Sequence, residues 1–306
     1  MSKFSGIKLV SFVAMLWLSA CASHEGRQGA SAVAAVAAVE VAITRDVVYT
    51  PPNWPQPLKA DLYKPAGAGP FPAVVMIHGG GWKGRSRDDM DGISRQVAQH
   101  GYVVLNVSYR FAPRWHFPAQ LQDVQQAVLW LRAHASDLGV VENRIGTWGY
   151  SAGAHLAALA GVTGPNDKWF VDGARVQAVV AGGTPVDIRY YKNGSLTKGL
   201  TGVSYENNPD LWREASPIAL VTRDDPPFFL YHGTFDFTVG DDNAHAMYEA
   251  LDAVGVPAEL YLMYGLEHLS TFVVDAPIER GIEFLDLRLR EPSSKSASSA
   301  QLTERE

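Results

Sequence analysis

Short apolar runs rich in valine and isoleucine alternate along the chain with longer stretches in which apolar residues recur every three or four positions. The apolar runs predict strands at residues 43–49, 58–63, 73–77, 102–107, 144–148, 176–181, 228–231 and 259–263. The helical spacing predicts helices at residues 119–135, 152–161, 242–253 and 271–289. This alternation is typical of an α/β fold, with a mostly parallel sheet of about eight strands and helices on both faces.

The predicted strands differ in character along the chain. The central ones are almost entirely apolar, as strands buried on both faces are, whereas those at 43–49 and 58–63 alternate and carry charges. We therefore expect the latter two to form an antiparallel hairpin at an edge of the sheet. Residues 187–220 lack clear periodicity and predict an inserted loop or small cap, whose aromatic residues either line a pocket or anchor the loop.

Composition excludes several classes of protein. With 306 residues, 47% of them hydrophobic and 19% charged, the chain is globular rather than disordered or collagen-like. A net charge of −6 without a basic stripe argues against a nucleic-acid partner. No cluster of His, Cys and carboxylate residues has the spacing of metal ligands, so neither a metal nor another cofactor is expected.

The start of the chain has the features of a secretory signal peptide. Two lysines accompany an apolar stretch at residues 9–18 that is too short to span a bilayer. The sequence LSAC, ending at Cys21, resembles the bacterial lipoprotein processing box. The resemblance implies cleavage after residue 20 and a lipid anchor on Cys21. Because Ala22 stands where lipoproteins of the inner membrane often have Asp, it also implies, for a source with two membranes, an anchor in the outer membrane with the protein facing the periplasm or cell surface. The alternative is ordinary cleavage after Ala20 or Ala22.

Two terminal segments are expected to lie outside the folded domain. Residues 21–42 contain an Ala/Val run and predict either a tether or a short helix between the lipid and the domain. Residues 291–306 are Ser-rich and charged, so we expect them to be disordered. The folded domain should then occupy residues 43–290.

The strongest chemical signal is the sequence GYSAG at residues 149–153. It lies between a predicted strand and a predicted helix, which is the context that the G-x-S-x-G nucleophile motif requires. On so tight a turn the flanking residues must be Gly, and the Ser151 hydroxyl would project into open space. Ser151 is therefore the predicted nucleophile. The simpler alternative is a Gly-rich turn with a capping serine.

A second glycine-rich turn, HGGGW at residues 78–82, follows the strand predicted at 73–77. Three successive glycines allow backbone N–H groups to approach a substrate closely, as an oxyanion hole requires. The predicted donors are the amides of Gly79, Gly80 and Ala152, and the third glycine is an alternative. The histidine of the motif is expected to hold the loop. Residues 79–86 also differ at one position from a phosphate-binding P-loop, which has Lys where this chain has Arg85.

A serine nucleophile needs a base and an acid, which in this architecture follow it in the order Ser, Asp or Glu, His. His268 lies in a loop just after a predicted strand and is the predicted base; His232 and His245 are the rivals. Asp236, also just past a strand, is the predicted acid. The carboxylates that compete with it are Asp224, Asp225, Asp241, Asp242 and Glu267.

Taken together, these motifs resemble the α/β-hydrolase superfamily, in particular the hormone-sensitive-lipase-like esterases and the small acetyl and feruloyl esterases. The resemblance runs from about residue 46 to 287 and includes, besides the motifs above, residues 109–119 and ASPI at 215–218. The chain lacks the large N-terminal cap of the hormone-sensitive-lipase-like members, which favours the smaller branch. It also has Gly240 where family members often have Pro.

The resemblance implies the α/β-hydrolase fold and a serine carboxylesterase in which Ser151, Asp236 and His268 form the triad. Its partner would be a small ester with a short acyl group, such as an acetyl or feruloyl ester of a carbohydrate. The rivals are another hydrolase on the same site, such as a peptidase, lactonase or aryl formamidase, and a non-catalytic binding lipoprotein.

The lipoprotein expectation makes a prediction about Cys21. Cys21→Ser should abolish lipid attachment and release the chain from the membrane fraction, because the tether has no amphipathic face to replace the buried acyl chains. Ester hydrolysis should not change. Fractionation and fatty-acid labelling of cells check this, and a variant found in the membrane fraction at the wild-type level would contradict it.

Overall fold

The structure of the protein, a computed structural model, describes residues 22–26 and 38–290. Strands occupy Ala22–Glu25 (β1), Val41–Val48 (β2), Lys59–Pro65 (β3), Phe71–Ile77 (β4), Val103–Val107 (β5), Val140–Tyr150 (β6), Ala178–Gly182 (β7), Phe228–Gly233 (β8) and Ala258–Met263 (β9). Helices occupy Asp91–Gln99 (α1), Ala119–Ala133 (α2), Ala135–Leu138 (α3), Ala152–Val162 (α4), Ser195–Thr201 (α5), Pro209–Glu214 (α6), Asp242–Ala253 (α7), His268–Val273 (α8) and Ala276–Leu289 (α9).

The strands form a single sheet with the order β1-β9-β8-β7-β6-β4-β5-β3-β2. From β5 to β9 all neighbours are parallel. β2 and β3 are antiparallel to each other, and β3 is antiparallel to β5. The fold class is therefore confirmed, and so is the antiparallel hairpin at one edge.

The opposite edge was not predicted. β1 pairs antiparallel with β9, with Ala22 opposite Met263. The tether expected over residues 21–42 is thus wrong for Ala22–Glu25, and the domain does not begin at residue 43. Four residues of mixed polarity carry no strand pattern, and their partner lies far along the chain. The expected signal peptide, Cys21 and the tail at 291–306 lie outside the described residues.

Two helical expectations also need correction. Helix α1 is additional to the predicted helices. Its residues Ile93 and Val97 lie one helical turn apart and are both buried. The helix predicted over 271–289 is two helices, because the chain becomes extended at Val274 before α9 starts with Pro277 in its first turn. Proline is favoured at such a start, since it lacks the N–H that a helix interior needs.

The sheet separates two apolar cores, because alternate residues of each strand face opposite sides. On β4, Val75 and Ile77 join the core formed with α2, α4 and α7. Val74 and Met76 join the core formed with α1 and α9. No helix in the described part of the chain is long and apolar enough to cross a membrane.

Helix α4 begins in close contact with the end of β4. A Cβ on Gly153 would lie 2.1 Å from the Ile77 carbonyl oxygen, and one on Gly149 would lie 2.3 Å from the backbone of Gly153. Real Cβ atoms do not approach backbone so closely, so both positions require glycine. The loops that follow β4 and β6 are thereby held side by side at the carboxyl edge of the sheet, where open α/β sheets bind their ligands.

Candidate active site

Ser151 sits on the turn between β6 and α4 with φ 55° and ψ −122°. Side chains rarely adopt this backbone conformation, and it persists only where the surroundings fix it. Here the Ser151 amide donates to the Gly182 carbonyl at 2.8 Å, and the two flanking glycines admit the tight packing described above. The strained turn directs the hydroxyl away from the sheet.

Two further predicted residues meet this hydroxyl. His268 Nε2 lies 2.9 Å from Ser151 Oγ, and His268 Nδ1 lies 2.5 Å from Asp236 Oδ2. Because a carboxylate only accepts, Nδ1 carries the proton, which leaves Nε2 free to accept from the serine. The Tyr150 hydroxyl donates to the His268 carbonyl and holds the start of α8 in place.

The rival residues lie elsewhere. The Glu267 carboxylate accepts from the Ser270 amide as the N-cap of α8, and Asp225 holds the Thr222 amide and hydroxyl. Asp241 and Asp242 lie at the start of α7. Among the described carboxylates, only that of Asp236 is hydrogen-bonded to the His268 ring.

His232, the rival candidate for the base, contacts the same carboxylate. Its Nε2 lies 2.8 Å from the Val239 carbonyl and 3.3 Å from Asp236 Oδ2. A carbonyl only accepts, so this nitrogen is the donor. The amides of Thr238 and Val239 donate to Asp236 Oδ1, both at 2.9 Å. The buried carboxylate is therefore surrounded by donors.

These donors determine the charge of Asp236. Burial by itself would raise the pKa of the carboxyl group. Hydrogen bonds from His232 and His268, together with the backbone amides on Oδ1, outweigh burial and hold the pKa well below its ordinary value. Asp236 is therefore an anion at neutral pH.

The glycine loop borders the same cavity as Ser151. Gly79, Gly80 and Gly81 line it together with Ala152. Gly80 has φ 110° and would place a Cβ 2.3 Å from the Gly84 carbonyl oxygen, so the turn needs glycine there. The described residues contain no group of three or more His, Cys, Asp or Glu that could hold a metal ion.

The chain is similar to a known protein family and to several curated proteins. Residues 60–251 match the BD-FAE family. The chain belongs to that family. Esterase LipC of Mycobacterium tuberculosis is 32% identical over 200 residues, which cover 60% of this chain and 49% of LipC. The BD-FAE chain spans about half the length of the curated relatives it matches first.

The chain has the α/β-hydrolase fold, which it shares with solved structures. A truncated carbohydrate esterase from gut microbiota matches the BD-FAE chain with a TM-score of 0.74 at 24% identity, covering 84% of this chain and 99% of that one. Esterase Est2 of Thermogutta terrifontis, solved with butyrate bound, matches with a TM-score of 0.68 at 23% identity, covering 84% and 98%.

One residue that supports the site is not among the predicted ones. His155, on the first turn of α4, accepts from the Trp82 indole N–H through Nδ1 at 3.2 Å. Its Nε2 lies 2.8 Å from the Ala215 carbonyl, to which it donates. His155 thus ties the glycine loop, the nucleophile helix and residues 215–218 together. The position of this histidine, two residues after the GYSAG motif, is a sequence signal that could have indicated the link.

The aromatic residues of the segment 187–220 of the BD-FAE chain have both expected roles, since some line the cavity and others anchor the segment. Tyr191 and Leu196 line the cavity beside Ser151, which has a volume of about 430 Å³. Trp212 is fully buried and Tyr205 packs against its ring edge, so these two anchor the segment. Tyr190 is exposed. On the other wall, Leu269 and Phe272 of α8 complete an apolar lining.

Two fully buried histidines, His78 at the start of the glycine loop and His155 on α4, make the stability of the protein sensitive to pH. Burial lowers the pKa of His78 and of His155 to about 4, whereas the unfolded chain has a histidine pKa of about 6.5. Between these values the unfolded chain binds more protons, so the free energy of unfolding should fall as the pH falls from about 6.5 to about 4. Urea unfolding at a series of pH values measures the slope.

His155→Gln is the matched variant for this prediction. It should be less stable than the wild type at pH 7 and should lose less further stability on acidification. Asp236 acts in a different window, since a depressed carboxyl pKa contributes stability above about pH 4 and loses it below. Equal slopes in the two proteins would contradict the assignment of His155 as a buried neutral group.

Proposed function

We propose that the chain is a serine carboxylesterase acting on short-chain acyl esters, with Cys21 as its lipid anchor to the membrane. The observation that carries the proposal is the chain of hydrogen bonds from Asp236 through His268 to Ser151. Ser151 lines an apolar cavity that could hold an ester. The names of the relatives, esterases and carboxylic ester hydrolases, support it.

Acylation would begin with proton transfer from the serine. His268 Nε2 takes the proton of Ser151 Oγ as the oxygen attacks the ester carbonyl carbon. The anionic Asp236 holds the ring in the required tautomer and stabilises the imidazolium that forms. His268 then protonates the alcohol oxygen, which leaves as the carbonyl re-forms, and the acyl group remains on Ser151.

The carbonyl oxygen gains negative charge in this step and needs donors. The backbone amides of Gly79, Gly80 and Ala152 are the proposed oxyanion hole, because they border the cavity beside Ser151. Ala152 begins α4, so the positive end of the helix dipole lies at the same place. In deacylation, water takes the place of the alcohol and the same groups repeat their roles.

The proposed substrate is an ester with a small acyl group, and acetyl or feruloyl esters of carbohydrates are the finer proposal. The carbohydrate esterase among the structural neighbours supports the sugar, and the neighbour solved with butyrate supports the short acyl chain. Leu196 lines the cavity beside Gly81, and we expect its side chain to limit the room for longer acyl groups.

Removal of the nucleophile tests the function. Ser151→Ala should lower kcat on p-nitrophenyl acetate by about five to six orders of magnitude, since the three residues act as a unit. Ser195, which lines the same cavity, is the matched control, and Ser195→Ala should retain activity within a few-fold. More than about 1% residual activity in Ser151→Ala would rule out this residue as the nucleophile.

A matched pair of carboxylates tests the acid. Asp236→Asn should lower kcat by about 10⁴-fold, because an amide favours the wrong tautomer of His268. Glu267→Gln changes the neighbouring carboxylate to the same degree but should leave kcat close to the wild-type value. The opposite pattern would move the role from Asp236 to Glu267.

Acyl length tests the shape of the cavity. We expect kcat/KM to be highest for acetyl to butyryl esters and to fall steeply by octanoyl, because further CH₂ groups would lie outside the cavity and gain little of the roughly 0.8 kcal/mol that burial provides. Leu196→Ala should shift the optimum towards longer chains. A series of p-nitrophenyl esters measures both, and a wild-type maximum at decanoyl would contradict the short pocket.

A further inference from the structure

Five large apolar side chains are exposed on the segments that follow β8 and β9, and the same segments contribute Val239, Leu269 and Phe272 to the cavity lining. Phe237 is 94% exposed, Val273 72%, Phe235 59%, Leu269 58% and Tyr264 51%. We call this set the apolar collar. Single exposed apolar residues are normal on a protein surface, but a contiguous group of this size marks an interaction site.

The collar is contiguous because the loops after β8 and β9 are joined. The rings of Phe235 and Phe237 are 6.3 Å apart. The Phe235 amide donates to the Leu266 carbonyl at 2.9 Å, in the loop that also carries Tyr264. Leu269 and Val273 lie one turn apart on α8, directly after that loop. Leu269 is exposed and also lines the cavity, so the collar and the cavity meet at this residue.

The pairing of β1 brings the start of the described chain to the same edge. β1 runs antiparallel to β9, and its first residue, Ala22, lies opposite Met263, the last residue of that strand. Tyr264 of the collar follows Met263 directly. The proposed lipid anchor, Cys21, directly precedes Ala22 in the sequence.

We propose that the apolar collar docks on the lipid surface that holds the Cys21 anchor, so that the mouth of the cavity faces the membrane. Ala22, which follows the anchor in the sequence, lies beside the end of β9 from which the collar extends, and a second contact with the bilayer adds to the buried acyl chains. Docking requires the anchor at Cys21 but does not require the esterase activity proposed above.

The chemistry of the collar selects the kind of lipid. Four of its members are purely apolar, and the fifth, Tyr264, combines a ring with a hydroxyl, a pairing that is enriched at membrane interfaces. The charged side chains that flank α8 in the sequence, Glu267 and Asp275, are acidic and repel anionic headgroups. The collar therefore suits a neutral lipid surface, with an attraction that salt does not screen.

An ester carried in the bilayer would then reach Ser151 without crossing bulk water. The small acyl group would enter the cavity while the rest of the molecule stays in the lipid. Hexadecyl acetate has this form, with an acetyl group that fits a short cavity and an alkyl chain that partitions into membranes. Its hydrolysis in vesicles separates docking from catalysis when a soluble ester is measured beside it.

Quenching by brominated lipid tests the docking directly. The protein, purified as the cell processes it, is mixed with phosphatidylcholine vesicles with and without brominated chains. Phe237→Trp should add fluorescence that brominated lipid quenches at least twofold. Leu287→Trp is the matched control, since Leu287 is 36% exposed near the end of α9, where its neighbour Asp286 accepts a hydrogen bond from Tyr102 at the amino end of β5, and its added fluorescence should not be quenched. Equal quenching in the two variants would overturn the proposal.

A kinetic measurement supplies the second test. Phe237→Ser combined with Val273→Ser should lower the rate on hexadecyl acetate in vesicles at least fivefold and leave kcat/KM for p-nitrophenyl acetate unchanged, which also shows that the variant is folded. Leu287→Ser should change neither. An unchanged rate in vesicles would overturn the proposal. So would a dimer in solution that these substitutions abolish, because a second copy would then occupy the collar.

Discussion

The close approach of α4 to the end of β4 is the constraint on which the site depends. It is possible only because Gly149 and Gly153 have no side chains, and it forces Ser151 into a backbone conformation that such a residue otherwise avoids. The free energy of that strain is balanced by the surrounding sheet and helix packing. A looser turn would leave the hydroxyl without a fixed direction and the glycine loop without its neighbour.

Buried histidines hold the parts around this turn. His155 joins the glycine loop to residues 215–218, and His232 contacts the same carboxylate oxygen of Asp236 as His268 does. Each uses a defined tautomer, because its partners either only donate or only accept. A histidine in such a place constrains its surroundings more than an apolar residue of similar size would, since its two ring nitrogens fix the orientation of both neighbours.

Much of the fold and of the site could be predicted from local pattern. The apolar runs indicated the parallel strands, and the glycines of two turns indicated which loops approach each other. The sequence could not indicate β1, whose four residues have no pattern of their own and depend on a partner 235 residues away. It could not indicate the second histidine at Asp236 either, because that contact depends on how a loop folds back and not on spacing. The break between α8 and α9 was within reach, since Pro277 stood in the predicted helix.

The pairing of β1 with β9 has a consequence for the order in which the protein forms. His24 contacts Glu259 at 2.8 Å across that pair, so the contact closes a loop of more than two hundred residues. Contacts of such sequence separation form slowly, because the loop entropy must be lost before the contact is gained. Until then β9 presents an unpaired edge, the feature through which strands of separate molecules associate. The earliest described segment to be synthesised is therefore among the last to reach its place.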